Sequence, residues 1–428
     1  MTFSDWHKLP VSLSELCINT TLRCGQSFRW YNIAESEEWR CVLYGSLISL
    51  KQDSSYLYYR TYQSKLPLST ASPKLNTKAN VKDDHTLRII KHYLNLSYNL
   101  DDLYTQWSSD DPNFKKKAPQ FTGIRILRQD AWEALVSFIC SSNNNISRIS
   151  QMVEKLCLHY GPLIATVEGR AYHDFPTAEA LAGKDVESNL RTLGFGYRAK
   201  YLYQTAVMVS QEREKGWLDG LSNPESPAFG TEARPGGEMK PEGRQGYRDA
   251  HESLLELQGV GPKVSDCVCL MGLGWGESVP VDTHVWQIAQ RDYRFGKGSH
   301  KSLTKATYDA VANHFRKLWG QEAGWAQSVL FTANLRSFAD RLAATKVAVA
   351  VKEDDSKVEI KTEVTTELAL TVPKHEDVEV KAEEVKAEEP ESKPVIKNAG
   401  KKRKATSDEI VHASHTSETR RTSKRLRK

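Results

Sequence analysis

The chain of 428 residues contains no CxxC pair and no CxxC…HxxxH arrangement among its seven cysteines, at 17, 24, 41, 140, 157, 267 and 269. A structural zinc site is therefore not expected, and no metal is assigned. No cysteine follows Cys269, which excludes a cysteine-ligated cluster beyond that point. No apolar run approaches the roughly 18 residues of a membrane-spanning helix, so no membrane partner is expected. The start, MTFSDWHKLP, is not Arg-rich and shows no secretory signal. With an odd cysteine count, that sets the expectation of a reduced intracellular compartment. Residues 346–428 hold no aromatic side chain, although the chain has ten tryptophans, 12 phenylalanines and 17 tyrosines. Internal repeats are absent.

What is present is uneven. The formal net charge of +5 hides an acidic segment, 351–392, with 14 acidic and 6 basic side chains. A basic segment follows, 393–428, with 12 basic and 3 acidic side chains. The rest of the chain carries about +4, a mild excess that permits nucleic-acid binding without demanding it. Without aromatics, 346–428 cannot bury enough apolar area to offset the entropy of ordering, and a disordered tail is expected there. Its basic blocks, KKRK at 401–404 and RRTSKRLRK at 420–428, suit an import receptor and a nuclear location. A second, mitochondrial pool is left open.

Residues 1–125 read as a β-rich N-terminal domain. WRCVLYG (39–45), SLISLKQ (46–52) and SYLYYRTY (55–62) are short aromatic and branched runs separated by turn signals, the pattern of an antiparallel meander. From about residue 83 the apolar period becomes helical, and 126–345 reads as a helical domain. Trp132, Leu135, Val136 and Ile139 follow i, i+3, i+4, i+7. So do Ile149, Met152, Val153 and Leu156, then Val264, Cys267, Val268 and Met271, then Tyr308, Val311, Ala312 and Phe315. Residues 223–246, with four prolines and five glycines, read as a flexible insertion.

The chemistry centres on GVGPKVSDC, residues 259–267. Gly259 and Gly261 suit a tight hairpin, and Pro262 suits the first position of the helix that follows. Backbone N–H groups at such a turn bind phosphate without reading sequence. Lys263 then falls in the first turn, where the helix dipole disfavours a cation by a few tenths to ~1 kcal/mol. Helix start and cleft both favour a free amine, a nucleophile able to form a Schiff base with a sugar carbon. Cys267 lies one turn on. In VPVDTHVW, 279–286, Asp282 suits a helix N-cap, and a carboxylate there can stabilise a developing sugar cation or assist proton transfer.

LQGVGPK…VPVDTHV resembles the helix-hairpin-helix, Gly/Pro-rich loop and aspartate motif of a DNA glycosylase superfamily. Four further segments, CGQSFRW (24–30), SFICSSNNNISRI (137–149), LGFGYRAKY (193–201) and GWAQSVLF (324–331), make the chain similar to the eukaryotic 8-oxoguanine DNA glycosylase family. The resemblance implies an α+β fold: a TBP-like antiparallel sheet domain packed on an all-α glycosylase domain, with DNA across the junction. It implies a lyase-competent glycosylase that excises 8-oxoguanine opposite cytosine and needs no cofactor. Lys263 matches the nucleophile and Asp282 the catalytic aspartate. Gly25 matches the glycine whose carbonyl detects the N7 hydrogen, with Cys267, Gln327, Phe331, Met271 and Pro280 around the flipped base. Asn143, Arg148 and Arg198 match residues that hold the orphaned cytosine, with Tyr197 as wedge. Gly259, Gly261 and His284 match phosphate contacts. The partner implied is duplex DNA with oxidised guanine, and nothing in the sequence suggests more than a monomer.

Three positions depart from the family pattern. Cys24 stands where a small residue is expected and brings a thiol close to the pocket. Pro262 replaces a hydroxyl residue, and Thr283 a branched apolar one. Two rival readings remain open on the sequence: a superfamily glycosylase for other damaged purines, and a non-catalytic DNA-binding protein that uses the hairpin as a phosphate clamp.

Overall fold

The structure, a computed structural model, describes residues 2–63, 84–296 and 302–338. The tail expected to be disordered, 346–428, and its basic blocks lie outside the described residues.

Strands β1 (Thr2–Phe3), β2 (His7–Pro10), β3 (Tyr31–Ile33), β4 (Glu38–Leu43), β5 (Ser46–Gln52) and β6 (Tyr56–Gln63) form an antiparallel sheet. The strand order is β1-β6-β5-β4-β3, and β2 also pairs with β6. The three runs read as strands fall on β4, β5 and β6. Tyr44 and Gly45 join β4 to β5 with φ of 49° and 75°. Two positive φ values make the mirror-type turn whose twist matches that of the strands. Trp39 stands opposite Leu50 and Cys41 opposite Ile48, which gathers apolar side chains on one face. That face packs on Ile89, Ile90 and Tyr93 of the helix His85–Tyr93.

After α1 (Ile18–Thr21) and α2 (His85–Tyr93) come α3 (Leu100–Asp110) and α4 (Pro112–Lys117), so the later part of the 1–125 range is helical. The helical body continues with α5 (Ala131–Ser141), α6 (Ile146–Tyr160), α7 (Ala178–Leu181), α8 (Val186–Thr192), α9 (Arg198–Val207) and α10 (Trp217–Gly220). It closes with α11 (Gln245–Leu255), α12 (Pro262–Met271), α13 (Thr283–Asp292), α14 (Lys305–Trp319) and α15 (Ala323–Ala333). The four apolar stripes lie on α5, α6, α12 and α14. All of their members are buried except Trp132, which is half-buried. One element departs from the helical reading. A hairpin, β7 (Leu163–Val167) and β8 (Arg170–His173), turns at Glu168 and Gly169, again with positive φ. Sheet and helices are locked by Arg29, whose guanidinium binds both oxygens of Glu133 on α5 at 3.0 and 2.9 Å.

Residues 223–246 are irregular as far as α11, yet they are docked on the body. Phe229 packs against Tyr44, His85 and His92. Arg244, 2 % exposed, holds Glu277 at 2.9 and 2.8 Å. A half-buried aromatic and a buried ion pair override the looseness that proline and glycine suggest.

His92 makes this docking pH-dependent. Burial, helped by nearby Arg128, pushes its pKa down to about 3. An unfolded histidine titrates near 6.5. Because the folded value is the lower one, the neutral ring stabilises the fold fully above pH 6.5 and loses that contribution as pH falls towards 3. In chemical denaturation, acidification from pH 7 to pH 4.5 is expected to cost the wild type about 2 kcal/mol more than it costs His92→Phe, the difference between the two proteins isolating this ring from the other titrating groups.

Candidate active site

The hairpin is built as its glycines demand. Gly259 has φ of 78°, and a Cβ there would lie 2.7 Å from the Tyr201 side chain. Gly261 caps α12 with its carbonyl, which accepts from Ser265 N–H at 2.9 Å. The space where its Cβ would stand is open. Backbone at the start of α12 is thus free for close approach by a phosphate. Pro262 occupies the first turn, and Lys263 follows it.

Lys263 Nζ reaches across to α5 and donates to Ser141 Oγ at 3.2 Å. The Ser141 hydroxyl donates its own hydrogen to the Phe138 carbonyl at 2.7 Å, so towards the lysine it acts as an acceptor. The Phe138 ring lies 5.1 Å from Nζ. Burial pushes the Cys267 thiol up to about 11, and the pull of Lys263 only partly offsets this. Near neutral pH the sulfur beside the amine is therefore a neutral thiol.

Asp282 caps α13: its Oδ1 accepts from Val285 N–H at 2.8 Å. The chain just before it is anchored from below. Val281 N–H donates to the Tyr308 hydroxyl at 3.3 Å, and that hydroxyl donates to Asp266. Asp266 is 1 % exposed and also accepts from Tyr247 at 2.6 Å and Ser278 at 2.8 Å. Burial, with the charge of Asp266 adding to it, holds both phenols well above their ordinary pKa. This hub joins α11, α12 and α14 and fixes Asp282 relative to Lys263.

Lys263 and Asp282 open into one cavity of about 60 Å³. Its walls carry Gly25, Cys267, Met271, Pro280, Gln327 and Phe331, so every residue expected to surround the base is brought to this place. Gly25 has φ of 85°, and a Cβ there would crowd Ile146 Cδ1 at 3.1 Å. Gln327 is buried, whereas Phe331 is half-buried and meets the exposed His284 edge-on. A cavity this small is below the ~300 Å³ of ordinary ligand sites, so admitting a purine requires a wall to move outwards. Phe331, half-buried among mostly buried lining residues, offers such a wall. The neighbouring Cys24 is no reactive thiol: burial raises its pKa, and its sulfur donates to the Thr21 carbonyl at 3.3 Å.

Residues 8–135 match the model of the 8-oxoguanine DNA glycosylase N-terminal domain, and 136–320 that of the HhH-GPD superfamily of base excision DNA repair proteins. The chain belongs to the 8-oxoguanine DNA glycosylase family. It is 37% identical over 344 residues to the N-glycosylase/DNA lyase of Saccharomyces cerevisiae, a match that covers 77% of this chain and 86% of that protein. Identity to the N-glycosylase/DNA lyase OGG1 of Arabidopsis thaliana is 33% over 337 residues, covering 77% and 80%. Among solved structures, MBOgg1 in complex with a low-affinity DNA ligand is similar, with TM-score 0.58 and 26% identity, covering 78% of this chain and 98% of that one.

In this glycosylase the residues expected to face the opposite strand gather at the turn between α5 and α6. Asn143 sits there with φ of 48°, an uncommon conformation for a residue with a side chain. Arg198, only 4 % exposed, donates to the Ser142 carbonyl at 3.2 Å and the Asn143 carbonyl at 3.0 Å. It thus braces the Asn143 turn from beneath. Tyr197 is 49% exposed, stands over the same turn with its hydroxyl on the Ser142 carbonyl at 3.2 Å, and stacks on the Arg198 guanidinium. Arg148 is exposed on the first turn of α6. Ser141 and the Asp266 hub were not read from the sequence. The phrase ICSSNNN held the signal for Ser141 as a hydroxyl beside the Asn143 turn, but its partner lies 122 residues on.

Among the described residues, no group of three His, Cys, Asp or Glu side chains is placed to hold a metal ion.

Proposed function

We propose that this chain is a bifunctional DNA repair glycosylase and lyase that removes 8-oxoguanine opposite cytosine. The observation that carries the reading is the convergence of Lys263 and Asp282 on the pocket lined by Gly25, Gln327 and Phe331. A duplex base reaches such a pocket only when extruded, at a cost of a few kcal/mol. Tyr197, exposed over the Asn143 turn, fills the gap, and the exposed Asn143 and Arg148 offer the donors and acceptors that a stranded cytosine needs. The buried Arg198 braces that turn rather than serving as a free donor itself. The Gly25 carbonyl accepts a hydrogen bond from N7–H, which 8-oxoguanine has and guanine lacks. Leaving that carbonyl unpaired costs about 1–3 kcal/mol, and this separates the two bases.

In the chemical step the lone pair of Lys263 Nζ attacks C1′. The C1′–N9 bond breaks, and the base leaves with a proton at N9. Asp282 stabilises the cationic sugar while the bond breaks. The aminal opens to a Schiff base. Loss of a C2′ proton then expels the 3′ phosphate and nicks the strand. No step calls for a metal or an organic cofactor. We further propose that the protein acts as a monomer and reaches the nucleus through an import receptor that reads its basic tail blocks.

A substrate panel tests the assignment: base release is expected from 8-oxoguanine opposite cytosine, while equal release of guanine or a preference for alkylated purines would overturn it. Tyr197→Ala is expected to slow single-turnover base release about tenfold, with a smaller loss when the lesion is already mispaired, because extrusion then costs less.

A further inference from the structure

The wall of the pocket that carries Gly25 is held in place by two glutamines that the chemical step does not use. Gly25 lies in a stretch, Cys24 to Gln26, outside any helix or strand. Such a stretch does not by itself fix the direction of a carbonyl. The Gln26 side chain ties the stretch down through both ends of its amide. Its Nε2 donates to the Arg125 carbonyl at 2.8 Å and contacts Cys24 Sγ at 3.3 Å, spanning Gly25. Its Oε1 accepts from Leu127 N–H at 2.9 Å. The amide group thus docks on 125–127 as a neighbouring strand's peptide would. Gln129 extends the path: its Nε2 donates to the Gln26 carbonyl at 2.9 Å, and its backbone N–H donates to the Met271 carbonyl at 2.7 Å. Met271 ends α12, the helix that carries Lys263. Gln26 and Gln129 are 2 % and 1 % exposed. A hydrogen-bonded path therefore runs from the Gly25 loop to the helix of the nucleophile.

We propose that Gln26 and Gln129 are positioning residues for lesion recognition: they fix the Gly25 carbonyl relative to α12 and so set the preference for 8-oxoguanine over guanine. The inference rests on the role given to Gly25 above. The two bases differ at the reading point by one hydrogen, and a recognition group has to be held to within ~0.5 Å to exploit such a difference. A carbonyl free to retreat reads neither base.

Gln26→Leu, Gln129→Leu and Gly25→Ala test this in the full chain. Single-turnover rates are measured for 8-oxoguanine opposite cytosine, for guanine opposite cytosine, and for nicking at a preformed abasic site, which needs no base in the pocket. Each glutamine variant is expected to lower the 8-oxoguanine to guanine ratio roughly tenfold or more while abasic nicking stays near wild type. Gln129→Leu removes only the bond to the Gln26 carbonyl and serves where Gln26→Leu does not fold. An unchanged ratio, or a parallel fall in all three rates, overturns the proposal. If Gly25→Ala loses the preference while both glutamine variants keep it, the reading of Gly25 stands and this inference fails. If the wild type shows no preference, the reading of Gly25 fails and takes the inference with it.

Discussion

Lys263→Gln is expected to abolish both base release and strand nicking, each by at least ~10³-fold, while leaving duplex binding within a few fold of wild type. The side chain of Lys263 ends at the Ser141 hydroxyl, beside the Phe138 ring and the Cys267 thiol, at the mouth of the pocket. Its amine is the one placed to attack C1′ of a nucleotide whose base occupies that pocket. Glutamine is one bond shorter but polar and unbranched, and the hairpin is built by its glycines and backbone bonds, so the phosphate-binding backbone persists. What disappears is the lone pair. Burial keeps the Cys267 sulfur a neutral thiol near pH 7, so it does not replace the amine as nucleophile. Gel-shift affinity measured beside single-turnover kinetics separates the two effects. A Lys263→Gln enzyme that still released the base at a tenth of the wild-type rate would remove the covalent step from this account.

Asp282 carries the second large effect, and two substitutions separate its two tasks. As N-cap of α13 it satisfies Val285 N–H, which an asparagine side chain does equally well. As a carboxylate facing the pocket it stabilises positive charge on the sugar, which asparagine does not. Asp282→Asn is therefore expected to keep the thermal midpoint and to slow base release ~10²–10³-fold. Asp282→Ala is expected to lose similar activity and, in addition, about 1 kcal/mol of stability. If Asp282→Asn retained full activity, the residue would be a cap and nothing more.

How far the sequence discloses such a site depends on the separation of the parts. Lys263 and Cys267 share one helix turn, and Asp282 follows after one helix and one loop, so local spacing alone brings them together in thought. The strands of 39–62 and the four helix stripes were legible for the same reason, since period and turn chemistry are local. The hairpin of β7 and β8 was missed although TVEGRAY carries a two-residue turn that ends in glycine, a signal drowned by the helical period on either side. Proline and glycine made 223–246 look loose, because nothing local shows that Phe229 finds an aromatic cleft or that Arg244 finds Glu277. Ser141 meeting Lys263, Gln26 meeting Arg125 and Leu127, and the gathering of Tyr247, Ser278 and Tyr308 on Asp266 are products of the tertiary fold. No period or motif encodes them, and they hold the catalytic pair and the reading loop in register. The walls of the base pocket, Gly25 to Phe331, lie intermediate. Their convergence followed from family resemblance, and the physical reason for it, a glycine that tolerates φ of 85° against Ile146, became visible only in the structure.

The central claim is that one amine, Lys263 Nζ, attacks the sugar of an 8-oxoguanine nucleotide and stays bonded to it. Borohydride reduction during turnover tests this most directly. The protein is incubated with a duplex bearing a single 8-oxoguanine opposite cytosine, reduced, run on a denaturing gel, and the trapped species digested and mapped by mass spectrometry. The account predicts a covalent protein–DNA band whose adduct lies on Lys263, with no band when guanine occupies the same position. Duplex binding without any trapped band, or an adduct on a different amine, would contradict it.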